Sequence, residues 1–269
     1  MNKTLLSTLL TALICTSLLA KVQAQDVHAL EPELGVGGNI KLDEASTAYV
    51  DDGFDFHVHP HPLWESRYVS EGRDNLAGKG IASIATEFNY NEIAIIPWVA
   101  TGVDSDYTEF NLNAIYATQL FNTVDMFIGY NHLRSRENTS NAHDNEVSLD
   151  FSYFYDNKFQ LTSSAYYSFD SQGTFIELAI NKGYEINEAV NIDFQTGLGF
   201  NAGYVSDGHN GINNLKLTAN VSYKVIKQLE VYAYTSYTMA INKNAERFVG
   251  DQTLKNVLWS GIGLSYLYR

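Results

Sequence analysis

The chain has 269 residues, of which 45% are hydrophobic and 18% charged, with a formal net charge of −14. So acidic a chain offers no basic patch for phosphates, and nucleic acid is not expected as a partner. Cys15 is the one cysteine, which excludes a disulfide framework.

In chain order, Lys3 supplies a short positive region, Leu5 to Ala20 is apolar and Leu-rich, and Val22-Gln23-Ala24 offers a cleavage site. That succession is a secretory signal peptide over residues 1–24. Ile14 is not the small residue that a lipoprotein signal places before its cysteine, so Cys15 is expected to leave with the signal. Cleavage removes Lys3 and Lys21 and no acid, which moves the formal charge from −14 to −16. After Ala24 no apolar run reaches the ~20 residues of a membrane-spanning helix.

Residues 25–62 carry Glu31, Glu33, Asp43, Glu44, Asp51, Asp52 and Asp55 with little alternation, and read as an acidic N-terminal segment. It ends in His57-Val58-His59-Pro60-His61-Pro62. In an extended chain, which the prolines favour, the three imidazoles share one side. His57, His59 and His61 are therefore metal-ligand candidates for Zn²⁺ or Cu²⁺, with Asp55 as a fourth ligand. The other reading is a polar linker into the first strand.

From Leu63 onward the pattern has period two. Twelve strands are predicted, at roughly 63–70, 80–90, 92–101, 107–120, 123–134, 145–155, 158–169, 174–184, 189–204, 213–225, 228–241 and 256–268. In one, Val147, Leu149, Phe151, Tyr153 and Tyr155 alternate with Glu146, Ser148, Asp150 and Ser152; in another, Leu215, Leu217, Ala219, Val221 and Tyr223 alternate with Lys216, Thr218, Asn220 and Ser222. Each strand thus has one apolar and one polar wall. Alternate connections are tight (Asn89–Glu92, Phe121–Thr123, Asp156–Asn157, Glu185–Glu188, Val225–Lys227). The others are mostly longer and rich in Gly, Asn, Asp and Ser (Gly72–Lys79, Gly102–Asp106, Ser135–Asp144, Ser206–Asn213, Asn242–Lys255). Short turns on one side and long loops on the other, with strands of about 9–11 residues, predict an all-β fold: an antiparallel transmembrane β-barrel over residues 63–269 with residues 25–62 in the periplasm.

Eighteen Tyr, fourteen Phe and three Trp suit such a barrel. Phe88, Tyr90, Phe121, Tyr155, Phe159, Tyr184, Tyr223, Tyr266 and Tyr268 fall near tight turns or the C-terminus, and Tyr130, Tyr167, Phe169, Tyr204 and Tyr237 near the long loops, as two interfacial girdles require. Leu112, Leu149, Phe194, Leu217 and Ile262 are expected to face lipid. The polar wall carries Glu87, Glu109, Asp125, Glu146, Asp150, Glu177, Asp193 and Glu230 against Lys216 and Lys224. If it lines a lumen, that lumen is acidic and favours cations.

The final residues, Leu258-Trp259-Ser260-Gly261-Ile262-Gly263-Leu264-Ser265-Tyr266-Leu267-Tyr268-Arg269, resemble the C-terminal sorting strand of bacterial outer-membrane proteins, with Gly261, Gly263, Tyr266 and Tyr268 at its marked places; Arg269 is an addition to that pattern. Ser66-Arg67-Tyr68-Val69-Ser70-Glu71-Gly72-Arg73 resembles the opening strand of a TorF-like porin family. These resemblances imply insertion by the outer-membrane assembly machinery, outer-membrane lipid as surroundings and small polar solutes as cargo. The expectation is a porin-like, cation-preferring outer-membrane channel. Two other readings stay open: a lipid or ester hydrolase using Ser206 and His209 of Ser206-Asp207-Gly208-His209-Asn210, and a structural or adhesive barrel with ligand-binding loops. No catalytic set is assigned. With no phosphate-binding glycine loop and no Cys-x-x-Cys pair, no cofactor is expected.

Overall fold

The structure is a computed structural model that describes residues 56–155 and 159–268, together with the two-residue strands 33–34 and 40–41. The signal peptide, most of the acidic segment, Asp55 and Arg269 lie outside the described residues. Glu33–Leu34 and Ile40–Lys41 pair antiparallel as a short ladder.

Twelve antiparallel strands close into one barrel. They are β1 (Phe56–Glu65), β2 (Ile81–Tyr90), β3 (Ile93–Gly102), β4 (Thr108–Leu120), β5 (Val124–Glu137), β6 (Ser140–Tyr155), β7 (Phe159–Ser168), β8 (Gly173–Asn187), β9 (Val190–Ala202), β10 (Gly211–Ile226), β11 (Leu229–Ala240) and β12 (Val257–Tyr266). Each pairs with its neighbours in sequence, and β12 returns to β1. The expected apolar wall faces outward. Leu112, Leu149, Phe194, Leu217 and Ile262 are all exposed, while Glu87, Asn111, Asn131, Asp150, Ser152 and Asn181 are buried inside. Apolar outside and polar inside is the inversion that lipid imposes, and closure satisfies the backbone groups that an edge would leave bare.

Three details differ from the sequence reading. The first strand is Phe56–Glu65, not 63–70, so the three histidines lie in the barrel wall and not in a periplasmic linker. Pro60 and Pro62 concealed this strand. Val58 exchanges both backbone hydrogen bonds with Tyr268 (3.0 and 2.9 Å). By alternation Pro60 and Pro62 point the same way, toward β12, where the missing N–H groups interrupt the ladder. On that side β1 is registered through Glu65, Trp64 and Leu63 against Gly261, Ile262 and Gly263. Toward β2 the ladder runs unbroken from Phe56↔Tyr90 to Glu65↔Ile81.

The expected loop Ser135–Asp144 is instead a continuation of β5 and β6, paired to Glu137↔Ser140 and turned at Asn138 (φ 53°). Beyond the apolar band both faces of this hairpin are wet, so its sequence shows no alternation. Tyr204 turns inward, not into a girdle; its hydroxyl donates to Glu146 Oε1 at 2.5 Å.

On the tight side, Phe121 and Asn122 both take positive φ (55° and 56°), and Thr123 N–H donates to Leu120 C=O. This is a type I′ hairpin turn. Asn122 suits it; Phe121 tolerates it with its ring 85% exposed at the border where aromatic rings anchor barrels.

Candidate functional site

The inward walls are unequal. On β2–β5, Ile81, Ala85, Ala94, Ile96, Trp98, Ala100, Ile115 and Phe127 form an apolar cluster inside the barrel, capped by Tyr68 and Leu76 from the loop after β1. Elsewhere the interior is polar. Of the predicted lumen acids, Glu87, Glu109, Glu146 and Asp150 are buried, and Asp125, Glu177, Asp193 and Glu230 are partly exposed on the same inward parity. Lys216 and Lys224 also point inward, Lys224 directly opposite Glu230. Glu65 and Glu71 join this set. The displaced first strand hid Glu65 from the sequence reading, and Glu71 lies in a loop without period.

Neutral donors hold several of these carboxylates. Glu109 accepts from Tyr68 at 2.8 Å, from Tyr107 and from Asn111 at 3.0 Å. Glu146 accepts from Asn131 at 3.0 Å as well as from Tyr204. Tyr234 donates to Glu65, and Asn220 to Asp193 at 3.1 Å. Gly261 and Gly263 of β12 make room for this arrangement: a Cβ at either would fall within 2.5 Å of the Tyr234 or Tyr232 ring that lies across it.

The loop joining β1 to β2 (residues 66–80, L1) crosses the bore. In a closed ring of twelve strands, β1 and β7 stand opposite, and β4 and β10 lie at the quarters. With strands about 4.8 Å apart and tilted by about 40°, the ring is roughly 24 Å across, far beyond the reach of one side chain. Yet Tyr68 of L1 reaches Glu109 on β4, and Glu71 accepts from Tyr166 on β7 at 2.9 Å. Asn213 on β10 donates to the Glu71 carbonyl. Tyr166 is itself fixed between Phe175 (stacked, 5.6 Å) and Tyr204 (edge-on, 4.9 Å). L1 is therefore a constriction anchored on four sides, and the stretch Ser66–Arg73 belongs to it, not to an opening strand.

Arg73 clamps L1 to the last loops, residues 203–210 (L5) and 241–256 (L6). Its guanidinium donates to Gly250 C=O (3.2 Å), Glu71 C=O (3.0 Å) and Asn213 Oδ1 (2.8 Å), and pairs with Asp251 at 3.5 Å. Burial pulls the Arg73 pKa down from its ordinary value, against the opposing pull of Glu71 and Asp251. Burial also works against the charged Asp251, but amide donation from Asn244 and His209 and the His209 side chain outweigh it and hold that carboxyl below the usual range. The phenol of Tyr68 is pushed well up, first by burial and then by the charge of Glu109.

His209, the candidate base, has Nδ1 on Asp251 (2.8 Å) and Nε2 on the Ile212 carbonyl (2.9 Å), while Ser206 is exposed in a turn. Both ring nitrogens serve loop docking, and the pair lacks the nucleophile-to-base hydrogen bond that activation requires. At the opposite end of the barrel, His59 and His61 gather with Glu87, one ligand atom from each lying within 4.8 Å of the others. His57 sits two pairs further along, opposite Asn89.

No family model matches the sequence, and no curated protein matches it. Among solved structures, the chain is similar to the KdgM porin (TM-score 0.53, 9% identity, covering 79% of this chain and 99% of that one). It is similar also to the KdgM porin in complex with disordered oligogalacturonate (TM-score 0.51, 10% identity, the same coverage). At identities this low the likeness is one of fold: the chain has the barrel architecture of an outer-membrane porin.

Proposed function

We propose that the protein is an outer-membrane, porin-like channel for small polar solutes, with a preference for cations. One observation carries the reading: a lipid-adapted barrel holds inward carboxylates on Tyr and Asn donors and narrows at a loop drawn across its bore. In a narrow passage with low-dielectric walls, such carboxylates raise the local cation concentration. One solved KdgM structure holds oligogalacturonate, a polyanion. The acidic interior here disfavours that class, and a cationic or neutral cargo fits instead. In the same reading residues 1–24 direct export, and the strand bearing Gly261, Gly263, Tyr266 and Tyr268 is taken up by the outer-membrane assembly machinery.

Reconstitution into planar bilayers tests the proposal. A salt gradient is expected to give a cation-selective reversal potential that weakens toward 1 M salt, where screening shortens to about 3 Å. Replacing Glu109, Asp150 and Asp193 together by their amides is expected to shift the potential toward anions without unfolding the barrel, since amides still hydrogen-bond there. A folded wild-type barrel that passes no current overturns the channel reading. Anion selectivity overturns the cation preference alone.

A further inference from the structure

We propose that His59, His61 and Glu87 form a binding site for a transition-metal dication, Zn²⁺ or Cu²⁺, in the barrel wall near its tight-turn end. Strand period puts His59 and His61 on the inward face of β1, and register sets Glu87 of β2 directly opposite His59. Ala85, opposite His61, is small and leaves that ring room to lean toward its neighbours. The two imidazole centroids lie 3.9 Å apart, nearer than the roughly 7 Å by which two strand residues on one face are spaced. His61 Nε2 stands 3.9 Å from Glu87 Oε2.

A tetrahedral ion with bonds of about 2.0–2.2 Å holds its ligand atoms about 3.3–3.6 Å apart. The ligand atoms lie within 4.8 Å of one another, so an ion would draw them together by at most about 1.5 Å. Two imidazoles and a carboxylate favour Zn²⁺ and Cu²⁺ over Mg²⁺ and Ca²⁺, which take oxygen ligands. Three protein ligands leave the fourth position to water from the lumen.

Three further features suit the site. Ser265, across the seam on β12, holds His59 Nε2 at 2.6 Å, the kind of outer contact that orients a ligating ring. His59 and Glu87 are 2% and 1% exposed, so little solvent screens the ion from the carboxylate. Pro60 and Pro62 fix φ on either side of His61 and hold the ligand strand extended before any ion arrives.

The site stands apart from the channel reading, because its test is binding and not conduction. Calorimetric titration of the full chain, folded in detergent, with Zn²⁺ is expected to give one ion per chain. His59→Gln, His61→Gln and Glu87→Gln are each expected to weaken binding more than about 100-fold, and Ser265→Ala by about 10–100-fold, the range for an orienting partner. Co²⁺ is expected to give the visible bands of a low-coordinate site in the wild type and to lose them in Glu87→Gln, whose amide preserves the shape of the wall. Strand circular dichroism checks each variant's fold. Absence of Zn²⁺ binding to the wild type overturns the proposal. So does binding that survives unchanged in the three ligand variants, which would place the ion on other groups.

Discussion

Replacing Arg73 by Ala is expected to release L1 from the mouth while the twelve strands stay in place. The guanidinium is 4% exposed and makes three hydrogen bonds of 2.8–3.2 Å besides its ion pair with Asp251. Adding these at about 1.5–3 kcal/mol each overshoots, since they share one group and are not additive. The relevant comparison is removal of one member of a buried pair, which costs about 3–5 kcal/mol, with the lower end favoured because Asp251 keeps its donors from His209 and Asn244 and the Glu71 carbonyl keeps Asn213. At about 1.4 kcal/mol per tenfold, the docked-to-released ratio of L1 falls roughly 100- to 4,000-fold. Hydrogen exchange reads this directly. Asp74 N–H is bonded to Thr253 C=O, Asn75 N–H to Tyr68 C=O and Gly78 N–H to the Asp74 carboxylate. Exchange at these three amides is expected to quicken by about 100-fold or more, with Arg73→Lys between, since it keeps the charge and loses the fork. Amides of β4 and β7 are expected to stay protected. Unchanged exchange at Asp74, Asn75 and Gly78 would refute the clamp. Equal acceleration through all strands would show that Arg73 supports the barrel and not the loop.

Leu217→Arg is expected to cost about 2–4 kcal/mol of barrel stability in lipid refolding, while neighbouring Thr218→Arg, whose side chain bonds inward to Ser236, costs far less. Equal effects would reverse the assignment of faces. Gly263→Ala drives a Cβ to 2.4 Å from the Tyr232 ring; a loss of about 1–3 kcal/mol in urea titration is expected, largely relieved in a Tyr232→Ala background, and additive effects would count against that contact. Asp251 titrates below the ordinary carboxylate range in the folded protein, so the stability it lends is full above the unfolded value of about 3.9 and is lost as pH falls through its lowered folded value. Proteolysis of L1 is therefore expected to begin only in strong acid, and in Asp251→Asn to lose that pH step.

Most of the barrel was legible because lipid outside and polar groups inside write a two-residue period, as in Val147 to Tyr155. Where one solvent touches both faces, as along Ser135–Asp144, the period fades and the hairpin reads as a loop. β1 has the period too, with Phe56, Val58, Pro60, Pro62 and Trp64 outward, but two prolines and three histidines are poor strand formers and disguised it. Of the candidate site, the inward carboxylates followed from parity. The crossing loop did not: Tyr68 meeting Glu109, or Glu71 meeting Tyr166, depends on where a non-periodic segment lies in space. Nor did the pairing of the histidines with Glu87, which requires the β1–β2 register.

A closed ring has no edge, yet this one carries a short stretch where one strand offers its neighbour no hydrogen. Between the pairs Leu63↔Gly263 and Val58↔Tyr268, β12 faces Pro60 and Pro62, and the His59–Ser265 side-chain bond bridges the junction there. Both strands are the terminal ones of the barrel, so the seam that joins the two ends of the barrel sequence is also the least stitched. Under tension or heat the circumference is expected to part there first, like a clasp, with the other eleven junctions still fastened.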